Sequence, residues 1–178
     1  NNEIIHLASK FYLDNENKIS GNIYSQGLNI NGNYPSLFFN QLNVNADNIK
    51  YELWADISNN AIKNINGTLS MSQANILNKL SKKQILLKNI YTNFKYNNDS
   101  NIYNISLENM TLTSGENIYE DNNLLLTFSK KSLNDLSIDK IYVNDLRKIV
   151  KIIPLGSKRN IKTISNSLYG GTIEKLTL

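Results

Sequence analysis

The sequence has no cysteine, a single histidine (His6), two prolines and 8 glycines among 178 residues. The absence of cysteine excludes disulfides and thiolate metal sites. Hydrolytic or proton-transfer chemistry needs a nucleophile, a base with a pKa near neutral and an orienting group, and one histidine near the start of the chain does not supply this set. Histidine and acidic residues also lack the spacing of a metal site. The sequence therefore predicts no enzyme and no metal or other cofactor.

Clustered positive charge and long apolar runs are also missing. The net charge of +4 comes mainly from lysines that are spread along the chain, so we expect no nucleic-acid partner. No apolar run approaches the roughly 20 residues that span a bilayer, and the opening "NNEIIHLASK" lacks the pattern of a signal peptide. The last residues, "GGTIEKLTL", follow a strand pattern without a polar tail. We therefore expect residues 1–178 to be a single β-rich segment excised from a longer protein.

Alternation of apolar and polar residues dominates the chain. In "YELWADI", Tyr51, Leu53, Ala55 and Ile57 fall on one face, as in a half-buried strand. Similar alternation on both sides of "NNDSN" predicts a hairpin over residues 90–107, and "DNENK" predicts another turn at residues 14–18. Asparagine, isoleucine, lysine and tyrosine supply nearly half of the residues, a bias that AT-rich codons explain. The fold class predicted is mainly β, a curved antiparallel sheet of eight or nine strands, each six or seven residues long.

One short figure recurs along the chain as "SLENMTL", "SIDKIYV" and "TIEKLTL". In each, two polar residues separate apolar positions and so break strict alternation. The residues on either side would then face opposite ways unless a β-bulge absorbs the extra residue. Because a bulge bends a strand and increases its twist, the repeats predict a curved sheet.

Two helices are predicted near residues 145–168, between two copies of this figure. The first has Asn144 or Asp145 as its N-cap and ends at Pro154, and the second begins after Ser157 and ends at the glycine pair. The segment of residues 73–83 could form a short third helix. The apolar stripe predicted for the two main helices consists of Leu146, Ile149, Val150, Ile153, Ile161, Ile164 and Leu168.

Two short helices would cover only part of the apolar side of such a sheet. Soluble proteins seldom expose more than a few hundred Å² of contiguous apolar surface, so the rest must be buried. The residues leave three possibilities open: a second sheet in a self-contained sandwich, a neighbouring part of a longer chain, or a lipid-like ligand.

A family resemblance favours the lipid-like ligand among these three possibilities. "YELWADISNNAIKNINGTLSM", "LLLTFSKK" and "LSIDKIYVNDLRKIVKIIPLGSKRNIKTISNSLYGGTIEKLTL" resemble the central region of the YhdP family of AsmA-like envelope proteins. Members of that family show a strand, a short leucine-rich helix ending near a proline, a second helix, a glycine turn and a strand. The resemblance covers roughly the last two thirds of the chain and rests on apolar spacing and turn residues.

The resemblance implies a non-catalytic segment of a periplasmic protein anchored to the inner membrane. Its β-groove would shield phospholipid acyl chains during transport between the inner and outer membranes and so support the outer-membrane barrier. Implied partners are phospholipids, the remainder of its own longer chain and, through an anchor outside these residues, the inner membrane. The alternative is a self-contained β-sandwich scaffold or adhesion domain with no lipid ligand. The candidate groove residues are Leu53, Leu69, Ile105, Leu107, Leu112, Leu126, Phe128, Leu136 and Ile138.

Overall fold

The structure is a computed structural model that describes residues 3–35, 41–99, 102–129, 132–152, 163 and 166–177. These residues form one open antiparallel sheet in which neighbours along the chain are neighbours in the sheet, in the order β1 to β9. The strands are β1 (Ile4–Leu13), β2 (Ile19–Pro35), β3 (Leu42–Ser58), β4 (Ala61–Asn78), β5 (Gln84–Asp99), β6 (Ile102–Ser114), β7 (Asn117–Ser129), β8 (Ser132–Tyr142) and β9 (Thr172–Thr177). A helix, α1 (Val143–Ile152), connects directly to the end of β8. The mainly β fold class and the antiparallel sheet predicted from the sequence are confirmed.

The strands are longer than the sequence pattern predicts. The predicted length of six or seven residues is wrong for most of them, since β4 alone has 18 residues and β3 has 17. The predicted hairpins are present, with β5 paired to β6 and the turn of residues 14–18 between β1 and β2. Residues 73–83 are not helical, because they form the end of β4 and its turn into β5. Strands look short in the sequence because alternation breaks inside them.

Register shifts break the alternation inside three strand pairs, β2–β3, β5–β6 and β6–β7. In β6, Leu107 and Met110 both face the partly buried side, and the register with β7 shifts between them. The predicted bulge in "SLENMTL" is therefore confirmed. Six strands carry a non-glycine residue with φ between 50° and 58°: Asn29, Asn48, Asn89, Asn109, Asp121 and Lys175. The residues on β2, β3, β5, β6 and β7 lie at these register shifts, the sixth lies on β9, and we call the six residues the bulge row.

Asparagine and aspartate suit the bulge row because their short polar side chains tolerate left-handed backbone better than other non-glycine residues. Polar side chains on neighbouring strands then satisfy backbone groups that the ladder leaves free. The Asn123 side-chain oxygen accepts from the Asn109 N–H at 3.1 Å, and that of Asn31 accepts from the Asn48 N–H at 2.8 Å. The side chain of Asn122, buried at 2% exposure, bonds to both the N–H and the carbonyl of Lys140.

The bulge row makes a direct prediction about stability. Asn109 is exposed with φ 50°, so Asn109→Val should lower the free energy of unfolding by about 1–2 kcal/mol, because a β-branched residue is strained in this conformation. Asn109→Gly should leave it nearly unchanged. Urea denaturation of the two variants measures the difference. Equal stability of the valine and glycine variants would contradict the backbone assignment.

The bulges keep apolar residues on one side of the sheet through the whole length of the strands. We call this side the apolar face; it carries, for example, Leu53 of β3, Leu107 of β6 and Ile138 of β8. The register places Leu107 opposite Phe94 and Leu124, which belong to the neighbouring strands on either side. The opposite side carries mainly polar residues, such as Asn64 and Asn97, whose side chains bond to each other across two strands.

Candidate apolar binding site

Helix α1 lies on the apolar face, across one end of the sheet. Leu146 is buried at 3% exposure in a cluster with Ile138 and Ile141 of β8. At the other end of the helix, Ile152 is buried at 2% exposure against Leu42 of β3 and Ile85 of β5. The helix therefore extends from β8 back towards the middle strands and covers the residues between them.

Asp145 anchors the beginning of α1. Its carboxylate accepts hydrogen bonds from Ser114 at 2.8 Å, from Asn117 at 2.8 Å and from the Tyr119 hydroxyl at 2.9 Å, and pairs with Lys148 at 2.9 Å. Asp145 is only 2% exposed. The prediction that Asn144 or Asp145 is the N-cap is wrong, since the helix begins at Val143. The carboxylate instead ties the first turn to β6 and β7, at the helix end where negative charge is favourable.

The electrostatics of this anchor keep Asp145 charged. Burial by itself would raise the pKa of the carboxyl, but the hydrogen bonds from Lys148, Asn117, Ser114 and Tyr119 outweigh it and hold the pKa below its usual value. Burial, together with the neighbouring carboxylate, raises the pKa of Tyr119. Tyr119 therefore stays protonated as a donor to Asp145 while its oxygen accepts from the Tyr142 N–H.

Asn78 anchors the other end of α1. Its side-chain N–H donates to the carbonyl of Ile152 at 2.7 Å, which satisfies one of the carbonyls that a helix C-terminus leaves free. The side-chain oxygen accepts from the N–H groups of Leu80 and Ser81, both at 2.9 Å. One buried amide thus holds the β4–β5 turn and the helix end together.

The two anchors place α1 across the strands from β8 to β4. The 10-residue helix is about 15 Å long. It starts at the end of β8 and bonds to Asn78 in β4, and four strand spacings in a flat sheet measure about 19 Å. The Asn78 side chain spans the remaining distance to the carbonyl of Ile152.

Between α1 and the sheet lies a cavity of about 310 Å³. Its walls come from six strands and the helix, and they are apolar except for Ser114, Asp145 and the hydroxyl of Tyr119. Both Ser114 and Tyr119 donate to Asp145. The lining residues are Leu42, Val44, Ile76, Ile85, Leu87, Ile90, Leu107, Met110, Leu112, Ser114, Tyr119, Leu124, Ile138, Ile141, Asp145, Ile149 and Ile152. A cavity of this size and lining suits an apolar ligand.

All nine groove residues predicted from the sequence lie on the apolar face. Leu107, Leu112 and Ile138 line the cavity. Ile105, Leu126, Phe128 and Leu136 pack beside it, in the cluster that also holds Leu146. Leu53 and Leu69 lie on β3 and β4 beyond the bulge row, on the part of the face that α1 does not cover.

The predicted helix stripe is only partly described. Leu146, Ile149 and Val150 face the sheet, whereas Ile153, Ile161 and Ile164 lie outside the described residues. Thr163, Asn166 and Ser167 have helical backbone, and Leu168, the last residue of the predicted stripe, follows them without it. Sequence reasoning missed Ile152, Asn78 and Asp145 as contacts of the site. Ile152 was the one contact with a signal in the sequence. Ile152 and Ile153 are adjacent, and either could complete the apolar stripe of the helix.

The apolar face is uncovered at β1, in contrast to the part that lies beneath α1. On β1, Leu7 and Leu13 are each 70% exposed and Phe11 is 49% exposed. Phe11 and Leu13 line a shallow hollow with Ile19 and Ile57 of the next two strands. The apolar surface thus continues from the covered cavity to an uncovered edge.

The described residues contain no group of three or more His, Cys, Asp or Glu residues placed to hold a metal ion. Nor is any helix in the described ranges long and apolar enough to cross a membrane. No family model, curated protein or solved structure matches the chain. The fold and the cavity are therefore the observations from which function has to be inferred.

Proposed function

We propose that this chain is a non-catalytic lipid-conduit segment of an AsmA-like envelope protein. Its apolar face shields the acyl chains of phospholipids from water during transport between the inner and outer membranes. The observation that carries the proposal is a single apolar face that runs from the cavity under α1 to the exposed leucines of β1. The curved sheet then serves as an open groove, and α1 covers the part of it that β3 to β8 form.

Partition provides the driving force for such a function. Each methylene moved from water onto an apolar surface contributes about 0.8 kcal/mol, so a short length of acyl chain is held firmly. Sliding along a uniform apolar surface changes the buried area little and therefore meets only small barriers. Each additional strand lengthens the groove by about 4.8 Å, which makes repeated strands useful for a conduit.

The cellular setting follows from the family resemblance and belongs to the proposal. The full-length protein is periplasmic and anchored to the inner membrane by a segment outside these residues. The remainder of its chain extends the groove, and phospholipids are its cargo. The described residues form one open sheet, whereas the alternative role as a sandwich scaffold needs a second sheet against the apolar face.

Photo-crosslinking tests the proposal. A benzophenone amino acid at Leu53 or Leu107, on the apolar face, should capture phospholipid when the full-length protein is expressed in the envelope. The matched control is Thr68, which pairs with Glu52 on the opposite side of the sheet and should give no adduct. Mass spectrometry of the crosslinked protein identifies the lipid. Absence of lipid at both Leu53 and Leu107 in folded protein would instead favour the scaffold role.

A further inference from the structure

We infer that the cavity under α1 accepts the tail of a single acyl chain and ends it after about a dozen carbons. The inference rests on the proposed function and adds a limit on chain number and chain length. In this view α1 is an end wall, and the head group of the lipid stays outside the cavity.

The volume sets the size of the occupant. An apolar cavity of about 150 Å³ is known to hold one benzene molecule, which has six carbons. The cavity here, at about 310 Å³, is about twice as large and so holds roughly twelve carbons. Two long chains of a diacyl phospholipid do not fit together in this space, whereas the end of one chain does.

The polar groups of the wall exclude a head group. The polar side chains of the lining are Ser114, Asp145 and Tyr119, and their hydrogen-bonding groups are already engaged, since Ser114 and Tyr119 both donate to Asp145. The Asp145 carboxylate is also bonded to Asn117 and Lys148. A phosphate or a fatty-acid carboxylate placed there would meet a buried negative charge without a free cation among the lining residues. The hydrocarbon tail is the part of a lipid that this wall accepts.

The helix determines where the chain has to stop. Ile149 and Ile152 form the wall on the helix side, and Met110 and Ile90 lie on the sheet side. Because Asp145 and Asn78 fix both ends of α1 to the sheet, the wall cannot retreat as the chain grows longer. Binding should therefore strengthen with chain length only until the cavity is full.

A chain-length series measures this limit. Lysophosphatidylcholines with acyl chains of 8, 10, 12, 14 and 16 carbons, each below its critical micelle concentration, are titrated into the 178-residue chain by calorimetry. Affinity should rise about fourfold for each added methylene up to about 12 carbons. Beyond that length the affinity should stay constant, because further methylenes remain in water.

Two variants locate the limit in the cavity. Met110→Trp fills space on the sheet side, so its plateau should begin at a shorter chain than in the wild type. Thr68→Trp, on the opposite side of the sheet and outside the lining, should leave the plateau where it is. Urea denaturation checks that both variants fold, and Ile90→Phe, a smaller increase in volume at another lining position, replaces Met110→Trp if that variant does not.

The outcomes separate this inference from the proposed function. Affinity that keeps rising to 16 carbons, or a plateau that Met110→Trp does not move, would overturn the end-wall inference while leaving lipid binding on the open face in place. No binding at any chain length, together with no lipid adduct at Leu53 or Leu107, would overturn both. A plateau near 12 carbons that shortens only in Met110→Trp supports both.

Discussion

The Asp145→Ala variant is expected to lose about 3–5 kcal/mol of unfolding free energy. The carboxylate is 2% exposed and accepts from Ser114, Asn117 and Tyr119 as well as Lys148. Its removal leaves the Ser114 and Tyr119 hydroxyls buried without their acceptor and frees the first turn of α1 from the sheet. Chemical denaturation at pH 7 measures the loss.

Asn144→Ala is the matched control. Asn144 precedes Asp145 on the same helix turn but is exposed, and its side-chain oxygen accepts only a 3.4 Å bond from Arg147. It should change stability by less than about 0.5 kcal/mol. An Asp145→Ala variant as stable as Asn144→Ala would show that the carboxylate does not hold the helix.

The effect of Asp145 should also depend on pH. The pKa of its carboxyl is lowered in the folded protein, so its contribution is fully present above the unfolded pKa of about 3.9 and is lost as the pH falls through the folded value. The difference in stability between wild type and Asp145→Ala should therefore be constant from pH 7 to pH 5 and shrink below about pH 4. A difference that grows as the pH falls would contradict this assignment of charge.

The second large effect is expected from Ile152→Asp. Ile152 is 2% exposed and packs against Leu42 and Ile85, so the variant places a carboxylate among buried apolar side chains. The melting temperature should fall by about 6–12 °C, in line with a loss of about 3 kcal/mol. Binding of the lysophosphatidylcholine series should weaken as well, because Ile152 lines the cavity.

Lys151→Asp provides the control for Ile152→Asp. Lys151 is the exposed neighbour of Ile152 in the last turn of α1. A negative charge there opposes the helix dipole and should cost about 1 kcal/mol at most. If both variants melted at the same temperature, the packing of the helix end on the sheet would be refuted.

The strand pattern and the single apolar face could be predicted from the sequence. Alternation around Leu53, Leu107 and Leu126 identifies one side of each strand locally, without knowledge of its neighbours. The recurring figure also predicted a bulge, which the structure shows between Leu107 and Met110. Strand length could not be predicted in this way. The left-handed backbone of Asn109 returns the following residues to the apolar face, and this conformation cannot be read from the sequence pattern.

The candidate site could be predicted only in part. The stripe of Leu146 and Ile149 indicated a helix with an apolar side, since that period is local. Asp145 was interpreted as a helix cap because its partners on β6 and β7 are 26 to 31 residues away in the sequence. Asn78 gave no signal, since an asparagine in a turn is common and its bond to Ile152 spans 74 residues.

The sequence by itself determined that the chain forms antiparallel strands with one apolar side and a helix after β8, because side-chain period and turn chemistry are properties of neighbouring residues. Only the tertiary structure decided that α1 lies on that apolar side, that Asp145 and Asn78 fix its two ends, and that a cavity remains beneath it. These features depend on contacts between residues far apart in the sequence, such as the bond between Asn78 and Ile152, which the local pattern of neighbouring residues does not determine.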